Sequence, residues 1–600
     1  MVVDLKDVVP FLSWLPWAVL NWLAVVVCVA VGSTVVGWLV AATRHGPRAA
    51  TRITFAVLRD AVLDLVFLSP RRVWALARLA IKESIRRRVV VVFAVFILIL
   101  LFAGWFLDPG SIDPARLYLG SVLTITSYLV LLLALLLSSL SLPADIKNRT
   151  LYTVVTKPVR ASEIVLGRIV GFAAVGTLLL AVMGVINYVF VERGLAHTHQ
   201  LTADDHHPVE GSVAGQPAAL EGRSSRVHQH RHKVTIDATG KGLVEMEQRH
   251  WHEVTKQKDG SYRLGPPEGM LVARVPVYGK LTFRDRSGQP TEKGVNVGDE
   301  WAYRSFIEGG TLAACVWTFE GITEDAFPTG LPVELNIEVF RTFKGEIEKG
   351  VPGSLSVRNP RTGKKVEVRI FESKEFITDT EFIPRELQAS GGKKVDLFKD
   401  IVDDGKLEVW LQCVVPAQYF GAAQADVYLR ARDASFALNF VKGYIGIWLQ
   451  MMLVIGLGVM FSTFLSGPVA VLATLGALLG GFFNDFMLRL GTGQTHGGGP
   501  FESIIRLLTQ QNVTSEMEPG LRTDVAQTLD QAAEFVLRGM ATILPDFGRF
   551  SFAEYVASGF NISGDTVLTF ACRAFAFVLP VFVAGYLCLK NREIARLLRD

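Results

Sequence analysis

The chain has 600 residues, 50% of them hydrophobic and 20% charged, with 61 Lys and Arg against 57 Asp and Glu. Its mean hydropathy of +0.34 excludes a fully soluble enzyme and a disordered scaffold. The net charge of only +4 argues against a nucleic-acid binder, which would carry a strongly basic face.

Seven stretches approach the roughly 20 apolar residues that a helix needs to cross a bilayer. They run near Trp17–Ala41, Val89–Leu107, Leu117–Leu142, Ile164–Val191, Leu438–Phe461, Val469–Leu488 and Val567–Leu589. The first has no basic segment before it and basic residues after it, so it reads as a retained anchor rather than a signal peptide. The sixth is the least regular, with Gly476, Gly480 and Gly481.

Lys and Arg prefer the cytoplasmic side of a membrane. Thr43 to Arg88 holds eleven of them against Asp60, Asp64 and Glu83. The loop Pro143–Glu163 holds Lys147, Arg149, Lys157 and Arg160, and the tail holds Lys590, Arg592, Arg596 and Arg599. All three fall inside if the N-terminus is outside and the C-terminus inside. The expected protein is an α-helical polytopic protein of the cell membrane with a large β-rich extracytoplasmic insert.

The segments follow in order. Residues 1–43 form an N-terminal anchor, and 44–88 a basic cytoplasmic segment. Residues 89–192 hold three spans around a cytoplasmic loop at 143–163. Residues 193–435 form the insert, 436–490 two spans, 491–565 an extracytoplasmic helical segment, and 566–600 the last span and its tail.

Within the basic segment, Ser69-Pro70 marks a helix start. Val73, Trp74, Ala77, Ala80 and Ile81 then share one face, opposite Arg71, Arg72, Arg78, Lys82 and Glu83. Such a helix lies at the membrane interface, against lipid headgroups. In the next cytoplasmic loop Pro158 breaks one helix and Ser162 is placed to cap the following span.

That loop, Asp145-Ile-Lys-Asn-Arg-Thr-Leu through Lys-Pro-Val-Arg to Glu-Ile-Val-Leu-Gly-Arg168, resembles the first cytoplasmic loop of ABC-2 type permeases. These are membrane subunits of one class of ABC transporter. Asp145, Thr150, Leu151, Pro158, Val159, Arg160, Ile164, Val165, Leu166 and Gly167 match the pattern, with Arg168 in place of the usual lysine. The helix with Lys82-Glu83 before Arg86, Arg87 and Arg88 is similar to the amphipathic elbow helix of that family. Ser462 to Pro468, with Ser466 and Gly467, is similar to a tight turn between two of its later spans. The resemblance covers about 70–200 and 436–600.

The resemblance implies an ATPase-coupling loop built on Asp145, Arg149, Thr150, Leu151, Pro158, Arg160, Glu163, Gly167 and Arg168. It also implies a cytoplasmic ABC ATPase partner, a second permease copy or homologous permease, and export as the activity. The usual six-span core makes the first span an addition, and the insert is unusually large. Some relatives are associated with multicopper-enzyme maturation. A non-transporting mechanotransmitter or assembly factor is the alternative.

The chain itself holds no phosphate loop, no nucleophile elbow and no zincin motif, so no enzyme activity is expected of it. ATP and Mg²⁺ would belong to the partner. Cys315 and Cys413 fall in the insert, either as a disulfide or as two core thiols. Asn187 and Gln450 lie deep in spans, where hydrogen bonding between helices is the expected role.

Nine of the eleven histidines lie between His197 and His252, as His197-x-His199, His206-His207, His228-x-His230-x-His232 and His250-x-His252. Imidazoles two apart on a strand face the same way and can share a metal, with copper or zinc as candidates. His228, His230 and His232 are the candidate ligands. The Gly, Ser, Pro and Gln around them favour a solvated tract leading into the insert, and no metal site is assigned. From about Leu271 onward, alternating segments such as Val333–Phe340 and Leu407–Leu411 point to a β-sandwich.

Overall fold

The computed structural model describes residues 10–85, 90–111, 113–148, 159–201, 206–208, 220–236, 242–257, 262–297, 303–342, 349–374, 378–389, 392–494, 497–512, 517 and 520–590. Its helices are α1 Phe11–His45, α2 Pro47–Val66, α3 Pro70–Ser84, α4 Val90–Phe106, α5 Pro114–Lys147, α6 Ala161–Leu195, α7 Phe436–Phe464, α8 Gly467–Phe482, α9 Asn484–Gly491, α10 Pro500–Thr509, α11 Leu521–Ile543, α12 Ala553–Ala557 and α13 Gly564–Lys590. Among them α1, α5, α6, α7 and α13 are long and apolar enough to cross a membrane.

The expected second span is the 17-residue α4, and the expected sixth is broken. There α8 and α9 meet at 70° at Phe483. The side chain of Asn484, just past the bend, donates to the carbonyls of Ala541 (2.7 Å) and Leu544 (3.2 Å) at the end of α11. A polar residue held from the side takes the place of one straight apolar run. The helical segment after it is also tied together: Asp530 of α11 accepts the Phe501 and Glu502 N–H groups (2.7 and 2.9 Å) at the start of α10.

Asn187 and Gln450, inside the helical part, bond to groups on other segments, as the cost of a buried polar group in lipid favours. Asn187 donates to Thr126 and to the Tyr444 hydroxyl, each at 2.7 Å. Gln450 accepts from Ser127 at 3.1 Å and donates to the Phe547 carbonyl at 2.7 Å.

The described residues pack as two compact units. One contains Val272–Phe436 with Gly559–Asn561. It is a β-domain of antiparallel sheets around one core. A six-stranded sheet runs in the order Pro290–Thr291, Lys280–Arg284, Ala314–Phe319, Leu407–Cys413, Val351–Arg358, Lys365–Ser373. A four-stranded sheet runs Asp379–Pro384, Gly330–Leu335, Val427–Asp433, Arg274–Tyr278.

Trp317, Phe319, Leu355 and Leu411 of the first sheet share their core with Leu331, Val333, Ile383 and Leu429 of the second, the packing of a sandwich. The expected strand Val333–Phe340 is in fact two, Gly330–Leu335 and Glu338–Arg341, in different sheets. The chain turns the corner at Asn336, whose N–H bonds the Asp426 carbonyl (2.8 Å). Cys315 and Cys413 are buried, unbridged thiols.

The second unit holds the helices together with the histidine-rich segment up to Leu271. That segment is not the expected loop. It forms β1 His199–Leu201, β2 His206–Pro208, β3 Leu220–Arg223, β4 Lys233–Ile236, β5 Gly242–Val244, β6 Trp251–Lys256 and β7 Tyr262–Glu268. They make two antiparallel sheets, β1-β7-β6 and β2-β3-β4-β5. A separate small core of Leu201, Val234, Ile236, Tyr262 and Leu264 lies between them.

Candidate functional site

Three pieces of chain carry His-x-His pairs into this small module. His197 and His199 follow directly from α6 into β1. His230 and His232 follow a tight turn at Val227–His230, and His250 and His252 follow another at Glu247–His250. In each turn the first and last residues exchange both backbone hydrogen bonds, at 3.0–3.2 Å. The two central residues of each turn have positive φ: His228 and Gln229 at 46° and 65°, Gln248 and Arg249 at 46° and 62°. This is the two-residue hairpin geometry that usually selects Asn-Gly, occupied here by four larger residues at some cost.

Neighbouring structure holds the turns in place. Gln248 donates to the Gly110 carbonyl (3.0 Å), and Arg249 pairs with Asp113 (2.6 Å). Both residues lie in the turn between α4 and α5. A Cβ on Gly110 would stand 3.0 Å from both the Gln229 side chain and the His228 carbonyl, so only glycine lets that turn approach.

The result is six buried imidazoles, His197, His199, His230, His232, His250 and His252, whose ligand atoms lie within 4.8 Å of one another. Every Nδ1 faces a backbone carbonyl. His197 bonds Leu195 (2.8 Å), His199 bonds Ser225 (2.7 Å) and His230 bonds His228 (3.2 Å). His232 bonds Glu245 (3.1 Å), His250 bonds Gln248 (3.3 Å) and His252 bonds Gly265 (2.7 Å). A carbonyl only accepts, so each Nδ1 carries the proton and each Nε2 presents a lone pair.

Those lone pairs converge. Nε2 of His197 and His250 are 3.0 Å apart, those of His199 and His230 3.2 Å, and those of His232 and His250 3.2 Å. The Nε2 of His252 has no hydrogen-bond partner. Burial, reinforced by the neighbouring imidazoles, pushes His199, His232 and His252 down to about 4 and His250 to about 2. His197 and His230 are also lowered, chiefly by burial.

Six neutral acceptors aimed at one point with no donor is a costly arrangement by itself. An unsatisfied buried acceptor costs about 1–3 kcal/mol, and six of them on the order of 10 kcal/mol. A bound transition-metal ion reverses the sign, since structural zinc sites in small domains release about 10–16 kcal/mol. Carbonyl bonds on the far ring nitrogen are also how metal-ligating histidines are usually fixed in tautomer and direction. The six residues fit a metal ion.

Of the three candidate ligands from the sequence, His230 and His232 belong to the cluster. His228 does not: it is a half-buried turn residue whose ring lies 5.0 Å from that of His197. His197, His199, His250 and His252 complete the set. Their signal was in the sequence, as the same His-x-His spacing, but the strands are only three to seven residues long and rich in polar residues.

Of the residues expected to form a coupling loop, the described ones meet at the other end of α6, and Glu163, Arg160 and Arg168 bond inward. Glu163 is fully buried; it accepts from Arg72 (2.7 Å), from the Ser69 N–H (2.9 Å) and from the Arg160 N–H (3.1 Å). Arg160 is thus the residue that precedes the first turn of α6, and Ser162 lies inside the helix, donating to the Asp64 carbonyl (2.9 Å). The expected cap at Ser162 is displaced because Glu163 reaches back to Arg160 instead.

The Arg160 guanidinium bonds the carbonyls of Leu63 and Phe67 at the end of α2 (2.7 and 2.9 Å). Arg168 pairs with Asp145 and lies 3.8 Å from Glu83. Gly167 and Gly171 admit α3: a Cβ on either would press on Leu76, Ala77 or Ala80 at 2.6–2.7 Å. Lys82 sits in the last turn of α3. Ser462 bonds back within α7, while Ser466 precedes α8 with Gly467 and Pro468 in its first turn. Arg86, Arg87, Arg88, Arg149, Thr150, Leu151 and Pro158 lie outside the described residues.

Compared with known proteins, the chain matches no family model, no curated protein and no solved structure.

Proposed function

We propose that this chain is a multi-pass membrane protein that holds one transition-metal ion in its histidine module. The single observation that carries this reading is the convergence of six Nε2 lone pairs whose Nδ1–H groups are all committed to backbone carbonyls. The ion would have no open coordination position, because six protein ligands already surround it. The site therefore serves structure or sensing rather than hydrolysis, which needs a bound water.

The membrane part works in this reading as an ABC-2-like permease subunit in the cell membrane, with the N-terminus outside, the C-terminus inside and the metal module outside. A separate cytoplasmic ATPase supplies the energy, and a second permease copy completes the pathway. The basic strip at 44–88 and the loop at 143–163 support this. Glu163 and Arg168, at 0% and 7% exposure, would act by locking α6 to α3 and α5, not by touching the ATPase. The alternative, mechanotransmission without transport, draws support from the module's attachment to the α4–α5 turn.

Metal content of the purified full-length protein tests the first part. One equivalent per chain is expected, falling to none when His199 and His250 are both replaced by Ala. A wild-type protein that binds no divalent metal after loading sinks the reading. Co-purification with an ATPase tests the second. Changing Glu83, Asp145 or Arg160 should lower coupled ATP hydrolysis, and wild-type behaviour in all three would remove the permease assignment.

A further inference from the structure

We infer that the six histidines form a regular octahedral cage that takes a first-row divalent ion of six-coordinate preference, from manganese(II) to nickel(II), rather than copper or tetrahedral zinc. This rests on the metal-holding reading above and specifies its ligand.

The arrangement of the rings carries the inference. An octahedron has twelve edges and three diagonals. Twelve pairs of these six rings lie with centroids 4.7–5.2 Å apart. The three pairs left over are His197 with His232, His199 with His250, and His230 with His252. Each histidine occurs in one of them only, so each ring has four neighbours and one opposite. No trigonal prism or pair of tetrahedral sites gives that pattern.

The chain explains why. Each His-x-His pair occupies two adjacent corners, with ring centroids 5.2, 5.1 and 5.0 Å apart. The cage is three such chelates, and every diagonal joins two different ones. The size agrees as well. The Nε2 pairs at 3.0–3.2 Å are adjacent corners. Dividing an edge by √2 puts each nitrogen about 2.1–2.3 Å from the centre, against about 2.0–2.1 Å for tetrahedral zinc–imidazole bonds.

Ligand chemistry then selects the ion. Calcium and magnesium want oxygen donors, and copper(I) wants soft sulfur. Copper(II) binds a flexible set of imidazoles most tightly in the usual order, but it prefers a tetragonal field. Here the carbonyl bond on every Nδ1 holds the six rings in a regular shape, so that preference is not met. Six-coordinate nitrogen sites suit manganese(II), iron(II), cobalt(II) and nickel(II).

The full-length protein, stripped by chelator and reloaded with cobalt(II) or nickel(II), should bind one equivalent. X-ray absorption should show six nitrogen neighbours at about 2.1–2.3 Å. The cobalt form should have the weak visible bands of an octahedral ion, and an equimolar copper(II) challenge should leave most nickel in place. His228→Ala should change none of these. His252→Ala should retain metal with five nitrogens and lower its affinity by at least tenfold.

Four-coordinate metal, intense tetrahedral cobalt bands, or displacement of nickel by one equivalent of copper would each overturn the octahedral cage while leaving metal binding intact. Absence of binding by any of these ions would overturn both readings. The wild-type spectra decide the question even if a histidine variant does not fold.

Discussion

Two β-structures follow one another in the same stretch of chain, and different forces organise them. The β-domain from Val272 to Phe436 encloses a large apolar core, with Trp317, Leu331, Leu355, Leu407 and Leu429 fully buried. Among the described residues, the histidine module before it has five buried apolar side chains and six buried imidazoles. In the first, burial of apolar surface sets the strand pairing, and each strand can be read by its alternation. In the second, the described apolar core is small, and in the proposed reading coordination supplies much of the stability. In the proposed reading, a cation satisfies the nitrogen lone pairs that converge there.

The largest expected effect separates the two directly. Removing the ion with a chelator should release most of the stabilisation of the module, on the order of 10 kcal/mol. Hydrogen exchange across 227–268 should then approach unprotected rates, while 272–433 keeps its protection. Equal protection of the module with and without chelator would show that its small core suffices and would erase the contrast.

The converse change acts on the other region. Trp317→Ala should cost the β-domain about 3–5 kcal/mol, as large aromatic truncations do. Metal stoichiometry should stay at its wild-type value. Loss of metal in this variant would mean the two regions fold as one unit.

A smaller effect is expected where the module meets the α4–α5 turn. Gly110→Ala should cost about 1–3 kcal/mol, because its methyl would crowd the hairpin turn at His228 and Gln229. Arg249→Ala should cost about 1 kcal/mol through its partly exposed pair with Asp113. Both should retain the metal, measurable in the same preparations by thermal unfolding and metal analysis.

A last effect, of similar size, concerns pH and belongs to the β-domain alone. Burial, helped by the Glu381 charge, pushes the Asp379 carboxyl up to about 6. Its folded state therefore holds a proton that the unfolded chain has released, and stability falls as pH rises from about 4 to about 6. Asp379→Asn should flatten that slope and add about 1–2 kcal/mol at pH 7, after allowance for solvent screening. An unchanged urea midpoint between pH 4 and pH 7 in both proteins would remove the charge penalty from the account.

The sequence was most legible where the deciding interaction is local. Leu117–Leu142 and Ile164–Val191 declare themselves by hydropathy, and they fall within α5 and α6. Val366–Ile370 and Leu407–Leu411 declare themselves by alternation and fall in strands. The break at Phe483 and the corner at Asn336 were not legible, because each depends on a partner more than fifty residues away. Glu163 was visible as a loop residue, but its burial against Arg72 required α3 to be laid across α6.

By itself, then, the sequence determined which segments are apolar, which alternate, and that the histidines come two apart, since all three depend on side-chain type and spacing. The tertiary structure decided that three His-x-His pairs spread from His197 to His252 surround one point. It also decided that four of the ligands lie outside the most conspicuous run, His228-x-His230-x-His232. The physical reason is direction. Spacing places two imidazoles on one face, but only the carbonyls of Leu195, Ser225, His228, Glu245, Gln248 and Gly265 fix which nitrogen each ring turns inward.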